Sequence, residues 1–176
     1  MPWRHAHESK VLAMRKVGLL RPGAKKRLGH MLEAAPDEGA RSAIRTSYGL
    51  VKVSNSPIYT HPEGAEVPVL NATAKKAIAH GTERYYREEV IRDQGENLLH
   101  LRDVLRHLNS ETSGREYRLK AIAQEKPKPG SPKIKLNETV SAHLSAELEV
   151  LQRIKGDVEK KALALEKSTG TGAQNK

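Results

Sequence analysis

A chain of 176 residues with no Phe, no Cys, one Trp and five Tyr has little aromatic area from which to build a core, yet it carries a net charge of +10. Aromatic rings supply much of the buried area in a domain of this length. The apolar fraction, 37%, is enriched in Ala, which buries little surface per residue. The sequence therefore predicts a mainly α, extended and non-globular chain that gains order by lying on something larger.

Several function classes are set aside by composition. Zero Cys removes disulfides, thiolate metal sites and cysteine nucleophiles within the chain. No stretch approaches the ~20 apolar residues of a membrane span, and no apolar run follows the first basic residues as a secretory signal requires. An intracellular protein without a membrane partner is expected. The triplets beginning at Asn71 and Asn137 then read as helix starts rather than glycosylation sites.

Charge is unevenly distributed: +7 over residues 1–62, −1 over 63–125 and +4 over 126–176. Punctuation divides the chain further. Residues 1–46 read as short basic helical pieces kept short by Gly18, Gly23, Gly29 and Pro36, a length that is marginal without tertiary contact. The Ser-, Pro- and Gly-rich stretch 47–70 reads as an extended linker, with Leu50–Val53 as its candidate strand.

Residues 71–125 read as a long helix to about Leu108, capped by Asn71, followed by a polar break at 109–114 and a short helix. The heptad-like series Ile91, Leu98, Leu101, Leu105 and Leu108 marks its packing seam, and Gly81 and Gly95 are candidate bends. Residues 126–136, rich in Lys and Pro, predict a stiff spacer that holds two helices apart. A last helix is expected over 137–167, with Leu144, Leu151, Val158 and Leu165 recurring at seven and Val140 and Ile154 on the adjacent line. Glu147 and Lys161 interrupt that seam. Residues 168–176 read as a flexible tail.

No motif for chemistry emerges. His5, His7 and Glu8 are too few to make a metal site. Gly23-Ala24-Lys25-Lys26 lacks the spacing and the Ser or Thr of a phosphate loop, and no nucleophile elbow or zincin helix is present. The carboxylates of the long helix alternate with Arg at ion-pair spacing. A non-enzymatic protein with no cofactor, no metal and no small-molecule substrate is expected. The candidate partner-binding residues are the cations Arg15, Lys16, Arg21, Lys25, Lys26 and Arg27, the adjacent pair Tyr85 and Tyr86, and the seam residues Leu98, Leu101, Leu105, Leu151 and Ile154. Cations of this density are attracted to phosphates and to acidic protein surfaces alike.

Over residues 75–155 the chain resembles the hemingway-like family of cilia- and flagella-associated proteins. The likeness is carried by Arg92-Asp93, Glu96-Asn97, Leu101 and Val104 in the first helix, and by Leu136-Asn137-Glu138, Glu147-Leu148 and Leu151-Gln152-Arg153-Ile154 in the second. The second helix is shorter than in that family, and the family's aromatic-rich flanks are missing. The resemblance implies a structural protein of the cilium or flagellum axoneme, in the cytoskeleton of the cytoplasm, stapled to the tubulin lattice beside neighbouring axonemal proteins. A small basic ribosomal or other RNA-binding assembly protein is the alternative, with RNA as its partner.

Overall fold

The computed structural model describes residues 22–47, 70–92 and 97–171. Helices make up 88% of them and none is in a strand, so the chain is mainly α as its composition predicts. The candidate strand at 50–53, the cations Arg15, Lys16 and Arg21, the candidate bend at Gly95 and the histidines at 5 and 7 lie outside the described residues.

Five helices follow in order: α1 (Pro22–Ala34), α2 (Glu38–Ser47), α3 (Ala72–Tyr85), α4 (Leu98–Gln124) and α5 (Pro132–Thr171), with a π-helical turn at Tyr86–Ile91 continuing α3. Asp37 opens α2 by accepting the Ala40 N–H at 2.7 Å. Asn71 caps α3 as expected, accepting from the Ala74 N–H at 2.9 Å, which satisfies one of the donors left over at a helix start.

The long helix expected from 71 to 108 is two elements. Arg92 ends the π turn with φ 39°, a left-handed conformation that a non-glycine residue adopts at a cost. Asn97 then starts α4 by accepting from the Leu99 and His100 N–H groups. At the other end α4 passes through 109–114, where a break is expected, and reaches Gln124. Thr112 turns its hydroxyl back onto the Asn109 carbonyl at 3.0 Å, so that the polar run stays within the helix.

The 126–136 stretch does not hold two helices apart. Ser131 N–H bonds to the Lys128 carbonyl at 3.0 Å, and Gly130 sits at φ 78°, so that Pro129-Gly130 makes the tight reversal for which that dipeptide is suited. Helix α5 begins at Pro132 rather than 137, because proline is favoured in a first turn. It continues to Thr171. The reversal folds α4 and α5 against each other as an antiparallel hairpin, with contacts running from Glu125–Asn137 through Arg115–Glu147 to Arg102–Glu166.

The other helices assemble on this hairpin. Helix α1 lies antiparallel on α3, with Gly23 against Tyr85 and Met31 against Gly81. Helix α3 runs parallel to α5, pairing Glu83 with Arg153 and Arg87 with Asp157. Helix α2 packs on α3 and α5. Two apolar clusters result. One joins Tyr85, Tyr86 and Ile91 to the seam of α4 and α5 through Leu101, Val104, Leu108, Val150, Leu151, Ile154 and Val158. The other gathers Leu28, Met31, Ala43, Ile44, Leu70, Ala74, Ala77 and Ile78 from α1, α2 and α3.

These clusters overturn the expectation of an extended, non-globular chain for the described helices. Ala-rich faces do the work that aromatic rings do elsewhere: small side chains on α2 and α3 let helix backbones approach closely, which recovers dispersion contacts that each Ala alone cannot supply. Gly81 is the extreme case. A Cβ there would lie under 3.0 Å from the Met31 and His30 backbone, so the expected bend is instead the point where α1 crosses α3.

Candidate functional site

Where α1, α2, the π turn, α4 and α5 converge, the core is charged. Glu147, on α5, is at a position that the heptad pattern gives to an apolar residue, and its side chain is 3% exposed. Two guanidiniums take its carboxylate from either side. Arg27 Nε lies 3.1 Å from Oε1, and Arg115 Nε donates to Oε2 at 2.7 Å. Arg115 also donates through Nη1 to the Glu111 side chain at 2.7 Å and to the Glu111 carbonyl at 3.0 Å.

The cluster extends to both sides. Arg27 Nη1 donates to the Tyr86 hydroxyl at 3.4 Å, and that hydroxyl donates to Glu111 at 3.3 Å. One turn before Glu147, His143 places Nε2 3.3 Å from Glu147 Oε1, while its Nδ1 is 2.6 Å from the Ser47 hydroxyl. Ser47 in turn donates to the Ile44 carbonyl at 2.7 Å. Each of five elements thus contributes at least one side chain.

Electrostatics follow from that enclosure. Burial opposes ionisation of Glu147, but the His143 imidazole at 3.3 Å and the charges of Arg115 and Arg27 outweigh it and hold the carboxyl well below its usual range. Burial likewise opposes ionisation of Glu111, and Arg115 and Arg27 again prevail, so its pKa is lowered. Arg115 loses hydration yet is held charged by Glu147, and its pKa is raised. Burial pushes the Tyr86 phenol well up, so it stays a neutral donor.

The series Ser47, His143, Glu147 has the order of a nucleophile, a base and an orienting acid. It differs from an activated nucleophile in two respects. The Ser47 hydroxyl hydrogen is directed to the Ile44 carbonyl, and the negative charge of Glu147 is already taken by two guanidiniums. What the arrangement does chemically is lock helices together. A buried ion pair adds little net stability over an apolar substitute, but removing one partner strands the other, so the cluster selects one packing.

Beside the cluster a cleft of about 690 Å³ opens between α4 and α5, its floor made by Arg115, Glu147 and His143 and its mouth by Ser110, Gly114 and Arg118. Among the described residues, no group of three or more His, Asp or Glu side chains is placed to hold a metal ion, and no helix is long and apolar enough to cross a membrane.

The residues expected to bind partners fall into three groups. Tyr85, Tyr86, Leu101, Leu151 and Ile154 are buried, and Leu98 and Leu105 pack partly buried against them; their partner is the chain itself. Arg27, expected among the free cations, is 12% exposed and bound to Glu147. Lys26 pairs with Glu89 at 3.1 Å, and Lys25 is exposed. Arg115, Glu111, His143 and Ser47 carry no local motif. Glu147 was signalled by its interruption of the α5 seam, since a carboxylate at a core position needs buried cations around it.

The fold and this site define a class: a small, mainly α protein whose described residues form a bundle of parallel and antiparallel helices closed around an ion-pair cluster. Comparisons with protein families, with characterised proteins and with solved structures find no match for this chain.

Proposed function

We propose that this chain is a non-enzymatic assembly protein that docks, as a folded helical module, on the acidic surface of a larger structure. The observation that carries the reading is the free end of the α4–α5 hairpin. From 116 to 138 no described side chain is buried, so both helices extend past the rest of the bundle. Lys120, Lys126, Lys128 and Lys135 on this arm have no ion-pair partner among the described residues, whereas Lys133 is taken by Glu125 at 3.0 Å. Unpaired cations on a protruding arm keep their full attraction for a polyanion.

The tubulin lattice of a cilium or flagellum is the acidic surface that the resemblance over residues 75–155 implies. A closed bundle changes the expected mode of attachment, from a chain stapled along the lattice to a module gripping it by its arm. RNA is favoured as a second reading by Tyr117, which is 75% exposed and stands beside Arg118 and Lys120 on the arm, an aromatic among cations suited to stacking on an unpaired base.

Co-sedimentation with microtubules and retention of RNA, each across a salt series, separate these readings. Substituting Lys126→Glu, Lys128→Glu and Lys135→Glu together is expected to weaken microtubule binding about tenfold or more at low salt, in keeping with the loss of several charge contacts. Tyr117→Ala should leave microtubule binding unchanged. If the parent protein ignores microtubules and binds RNA in a way that Tyr117→Ala weakens, the second reading replaces the first.

A further inference from the structure

We propose that the cleft beside the ion-pair cluster binds a phosphate group. The cleft presents three guanidiniums, Arg27, Arg115 and Arg118, against two carboxylates, Glu111 and Glu147, with the His143 imidazole also facing it. Ser47 and Tyr86 are the other hydrogen-bonding side chains of the cluster, from α2 and the π turn. The carboxylates are already engaged: Glu147 by Arg27, Arg115 and His143, and Glu111 by Arg115 and Tyr86. Among the described residues the positive charge of the cleft, three guanidiniums against two carboxylates, is therefore in excess by one.

The excess is placed where an anion could use it. A guanidinium has five N–H groups. Arg115 directs Nε to Glu147 and Nη1 to the side chain and carbonyl of Glu111, and no partner among the described residues takes its Nη2. Those contacts fix the guanidinium before any ligand arrives, which removes an ordering cost from binding. Arg118 is three residues further along the same helix. It lines the mouth and has no ion pair among the described residues.

Gly114 supplies the seat. Ser110, Gly114 and Arg118 are spaced by four on α4 and so share one face. The middle position has no side chain, and a Cβ there would meet nothing within 4 Å. An oxyanion seated over Gly114 would have Ser110 one turn before it and Arg118 one turn after it on the same helix face, with Arg115 lining the same cleft. Charge-assisted contacts of this kind to a planar guanidinium fork are the strong ones. Val140, Leu144 and Ala24 line the cleft as well. They give it an apolar wall against which the organic part of a phosphomonoester could lie.

The test is isothermal titration of the full chain with inorganic phosphate and with phenyl phosphate, against sodium chloride at matched ionic strength. Saturable, one-to-one binding of phosphate is expected. Arg118→Ala removes an exposed cation and Gly114→Leu fills the seat with a better helix former, so both variants should melt no lower than the parent, and both should bind phosphate at least fivefold more weakly. Absence of saturable binding, binding reproduced by chloride, or a loss smaller than fivefold in either variant overturns the proposal. Tighter binding of phenyl phosphate would identify a phosphomonoester as the ligand type, and equal binding would identify phosphate itself.

Discussion

Glu147 concentrates more of this fold than any other single residue. Its carboxylate touches side chains from α1, α4 and its own helix, and through His143 it reaches α2. Glu147→Gln removes the carboxylate closest to Arg27 and leaves Arg27 and Arg115 to share Glu111, and should cost about 3–5 kcal/mol, by analogy with other broken buried pairs. That is a large part of the ~5–15 kcal/mol that holds a typical domain together. Replacing both ends, with Arg115→Met and Glu147→Met in one chain, should cost less than the single change, since one guanidinium instead of two then loses Glu147, and Glu111 lies 3.9 Å from the Arg27 that remains. Urea denaturation of the two variants beside the parent measures it.

The same residue sets an acid limit. The Glu147 pKa is lowered from an ordinary 4.5, so its contribution is complete above that value and is lost as pH falls below it. Glu111 acts in the same direction. Melting temperature should therefore fall progressively as pH drops below about 4.5, and less steeply in Glu147→Gln, where the Glu111 part remains.

At the scale of elements, the decisive contacts are close helix crossings rather than large side chains. Gly81→Ala is a helix-favouring change by propensity, worth about 1 kcal/mol in isolation. Here the added methyl meets the Met31 and His30 backbone, which cannot rotate away as a side chain can. Net destabilisation of about 1–3 kcal/mol is expected, in the range of overpacked cores. A thermal melt distinguishes the two signs. Much of the element pattern was legible in the sequence: Asn71 as a cap, Leu101 and Leu108 on one seam, Leu144, Leu151, Val158 and Ile154 on the other. The reversal at Pro129-Gly130 was not, because the same residues serve a stiff spacer and a tight turn, and only the packing of Leu101 and Leu151 against each other's helices chooses between them.

At the scale of the whole molecule, two apolar clusters raise the question of whether the chain melts in one step or two. Helix α3 contributes to both clusters, and Arg27 ties α1 to the hairpin through Glu147. Loosening either cluster therefore strands buried charge in the other. A single cooperative transition is expected, with far-ultraviolet circular dichroism and the near-ultraviolet signal of Tyr85 and Tyr86 coinciding.

Helical periodicity, the polar caps and the surplus of positive charge are local properties, fixed by the order of residues, and they determined on their own that the chain is mainly α and basic. Which charges stay free is not local. Arg27 and Lys25 are two residues apart, in one basic run, yet one is buried against Glu147 across 120 positions of sequence and the other is exposed. Tertiary structure alone decided that, because the energy of a charge depends on the dielectric and the partners around it, and those are set by how helices from distant parts of the chain come together. The scarcity of aromatic side chains predicted too little core. Close approach of small residues, visible only once the helices cross, supplied the core instead.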